Sequence, residues 1–264
     1  MSENVIISMT SWKGRITNVT KTLDTIWTNT VKPRTIWLNL SEEEFPNKEA
    51  ELPAELLEWR DKTLNKYDQQ VLKINWVGAN IKSFKKLIPA LKWYYENNLL
   101  DEMIITADDD VLYENDFIEK FVKAAEENPE TIISNNMCRG CWFNQQCVNG
   151  AATLYRPKFF NPFLWEGLIQ AVVDTNEDDW WYSFNLWLFG SRQVKYIPTR
   201  LVFFNEVAEH QYEQKNTQQV LMNYWRWLIN RKEVVELSPV KDDILDAKYE
   251  QFIEQIKNKR KENA

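Results

Sequence analysis

The 264-residue chain carries 32 Lys and Arg against 39 Asp and Glu, a formal net charge of −7 that argues against a general nucleic-acid binder, which would show a basic domain. Apolar residues make up 44% of it, ample for the core of one large α/β domain with a short appendage. The longest apolar runs are strand-length, far short of the roughly 20 residues needed to cross a bilayer. Met1-Ser2-Glu3-Asn4 leads straight into Val5 with no basic segment or cleavage pattern, so a cytoplasmic location is the default expectation.

In chain order, residues 5–9 (VIISM) read as a β-branched strand and residues 10–15 (TSWKGR) as the turn behind it. Ile16, Val19, Leu23, Ile26 and Trp27 then fall at helical spacing, which completes a βα unit. Pro33 precedes a second strand over 35–40, ending in the acidic loop Ser41-Glu42-Glu43-Glu44. Residues 51–64 are helical, with Leu52, Leu56, Leu57 and Trp59 available to pack, and 71–77 form a third strand. A helix is expected over 83–97, where Pro89 must either kink it or sit in its first turn. A fourth strand covers 103–107, a helix 117–127 and a fifth strand 131–135. Strands separated by helices predict a mostly parallel sheet flanked by helices, and such sheets place ligands at the carboxyl ends of their strands.

The second half is less regular. Gly150-Ala151-Ala152 is the only run of small residues, and a chain with six Gly uses them where backbone must turn or approach something closely. Glu177-Asp178-Asp179 precedes a helix over 180–189, a late strand covers 194–198, and the chain turns polar after Leu237. Its end carries Tyr249, Phe252, Ile253 and Ile256 on a helical stripe followed by Lys257, Lys259, Arg260 and Lys261. Cys138, Cys141 and Cys147 make a CxxC with a third thiol but no fourth, which favours reduced thiols over structural zinc. Thirteen Trp is a large number for this length; most must be core, and Trp is also the side chain best suited to stack on a sugar face.

Asp108-Asp109-Asp110 follows the apolar strand 103–107 directly. An extended chain alternates its side chains, sending Asp108 and Asp110 to one side and Asp109 to the other. Two converging carboxylates repel unless a hard divalent cation joins them. The competing reading is a solvated acidic loop that caps the next helix, since Asp116 and Glu119 have capping-box spacing.

The order and spacing of four pieces decide between these: the N-terminal strand Val5-Ile6-Ile7-Ser8-Met9-Thr10, Asp108-Asp109-Asp110, Gly150-Ala151-Ala152, and Glu177-Asp178-Asp179-Trp180-Trp181. Over residues 4 to 200 the chain resembles the nucleotide-sugar glycosyltransferases of the GT-A fold, related to bacterial family 2 enzymes. The resemblance implies a Rossmann-like, mostly parallel sheet with a helical C-terminal appendage. Its expected extent is a catalytic domain over 1–236, nucleotide-binding to about 112 and acceptor-binding from 113, with a tail over 237–264. It implies hexosyl transfer from a nucleotide-diphosphate sugar, UDP first, to a saccharide or lipid-linked saccharide, in bacterial surface polysaccharide or lipopolysaccharide synthesis, with Mn²⁺ or Mg²⁺.

By the same resemblance Asp108 and Asp110 match the ends of the family's DxD motif, Asp110 binding metal and Asp108 the ribose or metal-bound water. Asp109 takes the variable position, as surface charge and the expendable member, though still beside the nucleotide sugar. Thr10, Ser11, Trp12, Arg15 and Glu42 fall where the family holds base and ribose. Lys82, Lys85 and Lys86 are placed to meet the diphosphate, or else form a solvated lysine face. Asp179 is the expected general base with Asp178 as alternate, against plain helix capping by acidic residues. Gly150, Ala151, Trp180 and Trp181 fall at the acceptor side, with Trp187 read as core. His210 is placed to complete the metal shell, and the basic tail to touch the inner membrane face, against a solvated helix. Retention of configuration, nucleotidyl or phosphoryl transfer, and a non-catalytic glycan- or Ca²⁺-binding module stay open as alternatives.

Overall fold

The computed structural model describes residues 5–135, 151–168, 170–189 and 193–204. The strands are β1 (Val5–Thr10), β2 (Thr35–Ser41), β3 (Leu72–Val77), β4 (Met103–Ala107), β5 (Val111–Tyr113), β6 (Ile132–Ser134), β7 (Ala152–Tyr155), β8 (Val194–Tyr196) and β9 (Leu201–Phe203). The helices are α1 (Val19–Trp27), α2 (Ala54–Lys62), α3 (Ile88–Glu96), α4 (Phe117–Glu127), α5 (Phe163–Glu166), α6 (Gln170–Thr175) and α7 (Asp178–Phe189). Seven strands form one sheet in the order β3-β2-β1-β4-β7-β6-β8, and β5 pairs with β9 in a separate ribbon. β1, β2, β3 and β4 run parallel, as do β6 and β8, while β7 is antiparallel to both its neighbours. The expected mostly parallel α/β sheet is therefore present.

Both faces of this sheet are covered, and the strand period shows why. Val5, Ile7 and Met9 of β1 join the core beneath α1, α2 and α4, whereas Ile6 joins the one packed with α3, α5 and α7. Met103 and Ile105 against Ile104 repeat the division in β4. Strands buried on both sides read as largely apolar runs, and all of β4 is buried, Thr106 being its one polar side chain. The helices answer with one apolar face: Phe117, Ile118, Phe121, Val122, Ala124 and Ala125 of α4 are buried at helical spacing.

Pro89 stands in the first turn of α3, where its missing N–H costs nothing, so the helix expected over 83–97 is split. Its first part is a 3₁₀ turn, Lys82–Lys86. The capping box expected at Asp116 and Glu119 does not form: Asp116 makes no side-chain cap, pairing with Lys120 at 3.0 Å, and Glu119 accepts a 2.7 Å bond from Thr30. Three further strands, β5, β7 and β9, have only three or four residues each and no apolar pattern that announces them. Gly150, His210, the three Cys and the tail over 237–264 lie outside the described residues, as does the Trp187 side chain. Among the described residues no helix is long and apolar enough to cross a membrane.

Candidate active site

β2 and β3 lie on one side of β1 and β4 on the other, so the strand order reverses at the β1–β4 boundary. Loops leaving a sheet at such a point diverge and open a crevice at the carboxyl ends. A cleft of about 290 Å³ lies there, lined by Thr10, Ser11, Trp12 and Arg15 at the end of β1, Glu44 behind β2, Asn80, Lys82, Ser83, Lys85 and Lys86 behind β3, Asp108 and Asp109 behind β4, and Asn176 before α7.

The acidic triplet is a turn. β4 ends at Ala107 and β5 begins at Val111, so the period of two stops where the carboxylates start. Asp109 is consequently 2% exposed, which corrects both its reading as surface charge and that of the triplet as a solvated loop. Its Oδ2 accepts a 2.6 Å bond from Ser11 Oγ, and its Oδ1 meets Arg15 at 2.8 Å. The other guanidinium nitrogen reaches Asp110 at 2.7 Å. One forked side chain thus spans both carboxylates, a geometry that arginine's planar head allows and lysine's does not. Burial pushes the Asp109 carboxyl up to about 6, with Arg15 and the Ser11 hydroxyl pulling it back. Asp110 is raised for the same leading reason and is likewise opposed by Arg15.

The turn's backbone is clamped from outside. Thr22 Oγ1 is within bonding distance of the carbonyls of Asp109 and Val111, at 3.1 and 2.9 Å. Tyr113 accepts a 2.9 Å bond from the Asp108 N–H and donates to the Ala151 carbonyl. Neither Thr22 nor Tyr113 had stood out in the sequence.

The lysines overturn the solvated-face reading. Lys85 and Lys86 are 2% and 7% exposed. Lys85 bonds Glu44 at 3.0 Å and Asn80 at 2.6 Å, and burial lowers its pKa despite Glu44. Lys86 touches Asp108 and lies 3.7 Å from Asp178 Oδ2. Burial opposes the Lys86 charge, yet Asp108, Asp178 and Asp179 outweigh it and hold the pKa well above the usual lysine value. Lys82 reaches Asp174 at 3.3 Å. Its φ of 49° and the 56° of Asn176 place two left-handed residues on the cleft wall. Asn80 and Asn176 side chains hold that wall by accepting from the N–H groups of Lys82 and Ser83, both at 3.1 Å.

Asp178 and Asp179 stand in the first turn of α7, as expected from the sequence, and Asp178 is buried with its carboxyl raised chiefly by that burial. Asp179 is partly exposed. The remaining expectations divide. Thr10 lines the cleft while donating to Asn39 O at 2.7 Å, and Trp12 lines it with its ring over Gly14. Glu42 is turned away and paired to Lys48 at 3.0 Å, so the cleft's acidic residue from that loop is Glu44. Ala151 is 1% exposed with its carbonyl occupied, which removes it from acceptor contact. Trp181, also 1% exposed, packs on Phe163 and Phe184 and donates to Leu164 O at 2.8 Å, so it is core rather than a stacking platform. Trp180 is partly exposed.

Among the described residues no group of three or more His, Cys, Asp and Glu side chains makes a metal cluster. The donor chemistry fits a divalent cation nonetheless. Asp108, with its side chain 24% exposed, offers hard oxygens on the cleft wall, and Asp110, 13% exposed, offers them from the same turn although it is not itself part of the lining. Mg²⁺ and Mn²⁺ at phosphate sites take one or two carboxylates and fill the rest with water and phosphate oxygens.

No protein-family model matches the sequence, and no curated protein matches it. Among solved structures the chain is similar to the mannosyltransferase PcManGT from Pyrobaculum calidifontis in complex with GDP-Man and Mn²⁺, with a TM-score of 0.53 and 13% identity over 84% of this chain. The match covers 61% of that chain, so this protein corresponds to under two thirds of it. It is similar also to TarS 1-349 of S. aureus, with a TM-score of 0.48 and 13% identity over 91% of this chain and 76% of that one. The galactosyltransferase LgtC matches with a TM-score of 0.37 and 10% identity, over 58% of each chain. The chain has the GT-A fold of nucleotide-sugar glycosyltransferases.

Proposed function

We propose that the cleft transfers a glycosyl group from a nucleotide-diphosphate sugar to a saccharide hydroxyl, with inversion. The observation that carries this reading is that one ammonium, Lys86, contacts the strand-end carboxylate Asp108 and approaches the helix-start carboxylate Asp178. The two acidic clusters that the sequence separates by about 70 residues are thereby one site, which a purely structural acidic loop does not need.

Trp12, Thr10 and Arg15 behind β1 receive the nucleoside, with the Trp12 ring as its flat wall. Asp108 and Asp110 hold the cation, and Lys82 faces the diphosphate. A bound Mn²⁺ or Mg²⁺ would offset the charge that grows on the diphosphate as the glycosidic bond breaks. Asp179, the more exposed of the α7 pair, takes the proton of the attacking hydroxyl, while Asp178 is committed to Lys86. Trp180 borders the acceptor. The domain division near residue 112 follows from this assignment, since donor groups precede β5 and acceptor groups follow it. A guanine donor stands beside the uridine one because PcManGT binds GDP-Man.

The test is a screen of UDP-, GDP- and CDP-sugars with saccharide acceptors, read by nucleotide release with and without Mn²⁺. Release that needs both acceptor and cation is the expected result. No release from any donor under either condition would sink the proposal.

A further inference from the structure

We propose that Lys86 is a positioning residue that ties the donor-side carboxylate Asp108 to the acceptor-side carboxylate Asp178, so that the two halves of the site are set as one unit. The inference rests on the glycosyl-transfer reading and adds to it how the halves are registered.

Three observations carry it. The first is the bridge: Lys86 Nζ touches Asp108 Oδ1 and stands 3.7 Å from Asp178 Oδ2. Asp178 Oδ2 is buried and makes no hydrogen bond of its own, and the nearby Lys86 ammonium is the largest influence favouring the charged carboxylate, ahead of a hydrogen bond from Ser83. The second is how firmly the lysine is held. Ser8 Oγ donates to the Lys86 carbonyl at 2.6 Å, Asn39 Nδ2 donates to Ser8 Oγ at 3.1 Å, and Asn75 Nδ2 donates to Asn39 Oδ1 at 2.9 Å. A polar chain across β3, β2 and β1 thus ends on the residue that carries the bridge. Phe84 and Leu87, both 0% exposed, anchor it on either side. The third is direction. A 3₁₀ turn has three residues per turn, so neighbours project about 120° apart. Lys85 accordingly goes to Glu44 and Asn80, and Lys86 goes to the acid clusters.

Buried ion pairs are poor sources of net stability, because desolvation cancels much of the attraction, and their attested use is in fixing which groups meet. Asp108 moves with β4 and Asp178 with α7. Without a cation between them their charges repel, and the donor and acceptor sides separate.

The test is a double-mutant cycle on nucleotide release, using the donor that the screen identifies, with near-ultraviolet circular dichroism reporting the fold. Lys86→Met and Asp178→Asn are each expected to lower kcat about 100-fold, and the double variant to lose less than about threefold more than either, since both break one unit. Losses that multiply overturn the proposal, as does Lys86→Met raising donor KM with kcat unchanged, which would make Lys86 a donor-binding group alone. If Lys86→Met does not fold, Lys86→Gln, which keeps a polar head without the charge, takes its place in the cycle with Asp178→Asn, and losses that multiply there overturn the proposal. Wild-type protein that releases nucleotide from no donor defeats the glycosyl-transfer reading and this proposal together, whereas turnover with multiplying losses defeats this one only.

Discussion

Ser11 and Asp109, 98 positions apart in the chain, share a buried 2.6 Å hydrogen bond across the boundary between β1 and β4. The bond joins the two loops that open the cleft, and Arg15 reinforces it at 2.8 Å. Because Asp109 titrates near 6 when folded, against 3.8 ordinarily, it keeps its proton in the folded chain over a range where the unfolded chain has lost it. A raised carboxyl pKa means the burial cost is absent below about pH 4 and fully present above about pH 6. Stability therefore falls as pH rises through that window, by about 3 kcal/mol for a shift of this size. In chelator-treated protein, urea unfolding of wild type and Asp109→Asn at several pH values is expected to show the wild type losing this amount relative to the variant between pH 4 and 6. Parallel curves would refute the assignment.

The same residue shows what the sequence could and could not reveal. β1, β2, β3, β4 and α4 are legible because each carries a regular apolar pattern, and a mostly parallel sheet brings the strands' carboxyl-end loops to one edge, although in the β2 loop it is Glu44 and not Glu42 that lines the cleft. Asp109 departs from the expected alternation because the period of two ends with Ala107, the last residue of β4, and no ladder enforces it beyond. In the sequence Lys86 is indistinguishable from Lys82 and Lys85, because composition does not separate a solvated lysine from one sunk between carboxylates brought from the end of β4 and from α7. Trp181 beside Trp180 looks like half of a surface pair, but a helix turns neighbours about 100° apart, one outward and one into the core. β5, β7 and β9 are too short to show a period, and pairing alone defines them.

Gly14 sets the attitude of Trp12. A Cβ at position 14 would lie 2.1 to 2.6 Å from three carbons of the indole ring, closer than any contact tolerates. Gly14→Ala must therefore push the ring off its seat at the cleft, with little effect on the distant core. The variant is expected to keep its melting temperature within a few degrees and to bind UDP or GDP about tenfold more weakly, a loss of about 1.4 kcal/mol. Isothermal titration calorimetry measures this, and unchanged affinity would remove Trp12 from the nucleotide wall.

The two tryptophans opening α7 should behave differently. Trp181 fills the core between Phe163 and Phe184, so Trp181→Ala is expected to cost about 3–5 kcal/mol in stability. Trp181→Phe keeps most of the ring and gives up the bond to Leu164 O, and so costs less. Trp180→Ala should leave urea midpoints nearly unchanged while raising acceptor KM. Equal destabilisation by the two alanine variants would contradict their assigned places.

Arg15 competes with any cation for Asp110. Its guanidinium lies 2.7 Å from Asp110 Oδ2, which leaves that oxygen committed before a metal arrives. A cation entering without nucleotide must displace the guanidinium or share its carboxylate, whereas a diphosphate offers Arg15 another anion to meet. Arg15→Gln is therefore expected to bind free Mn²⁺ about tenfold more tightly than wild type in the absence of nucleotide, because the competing charge is gone. The advantage should shrink when UDP or GDP is present, and Asp110→Asn should abolish binding in both conditions. Electron paramagnetic resonance titration of free Mn²⁺ reads all three. Weaker Mn²⁺ binding by Arg15→Gln would mean that Arg15 shapes the carboxylates for the cation instead of competing with it. Its fork across Asp109 and Asp110 would then be part of the metal site's framework.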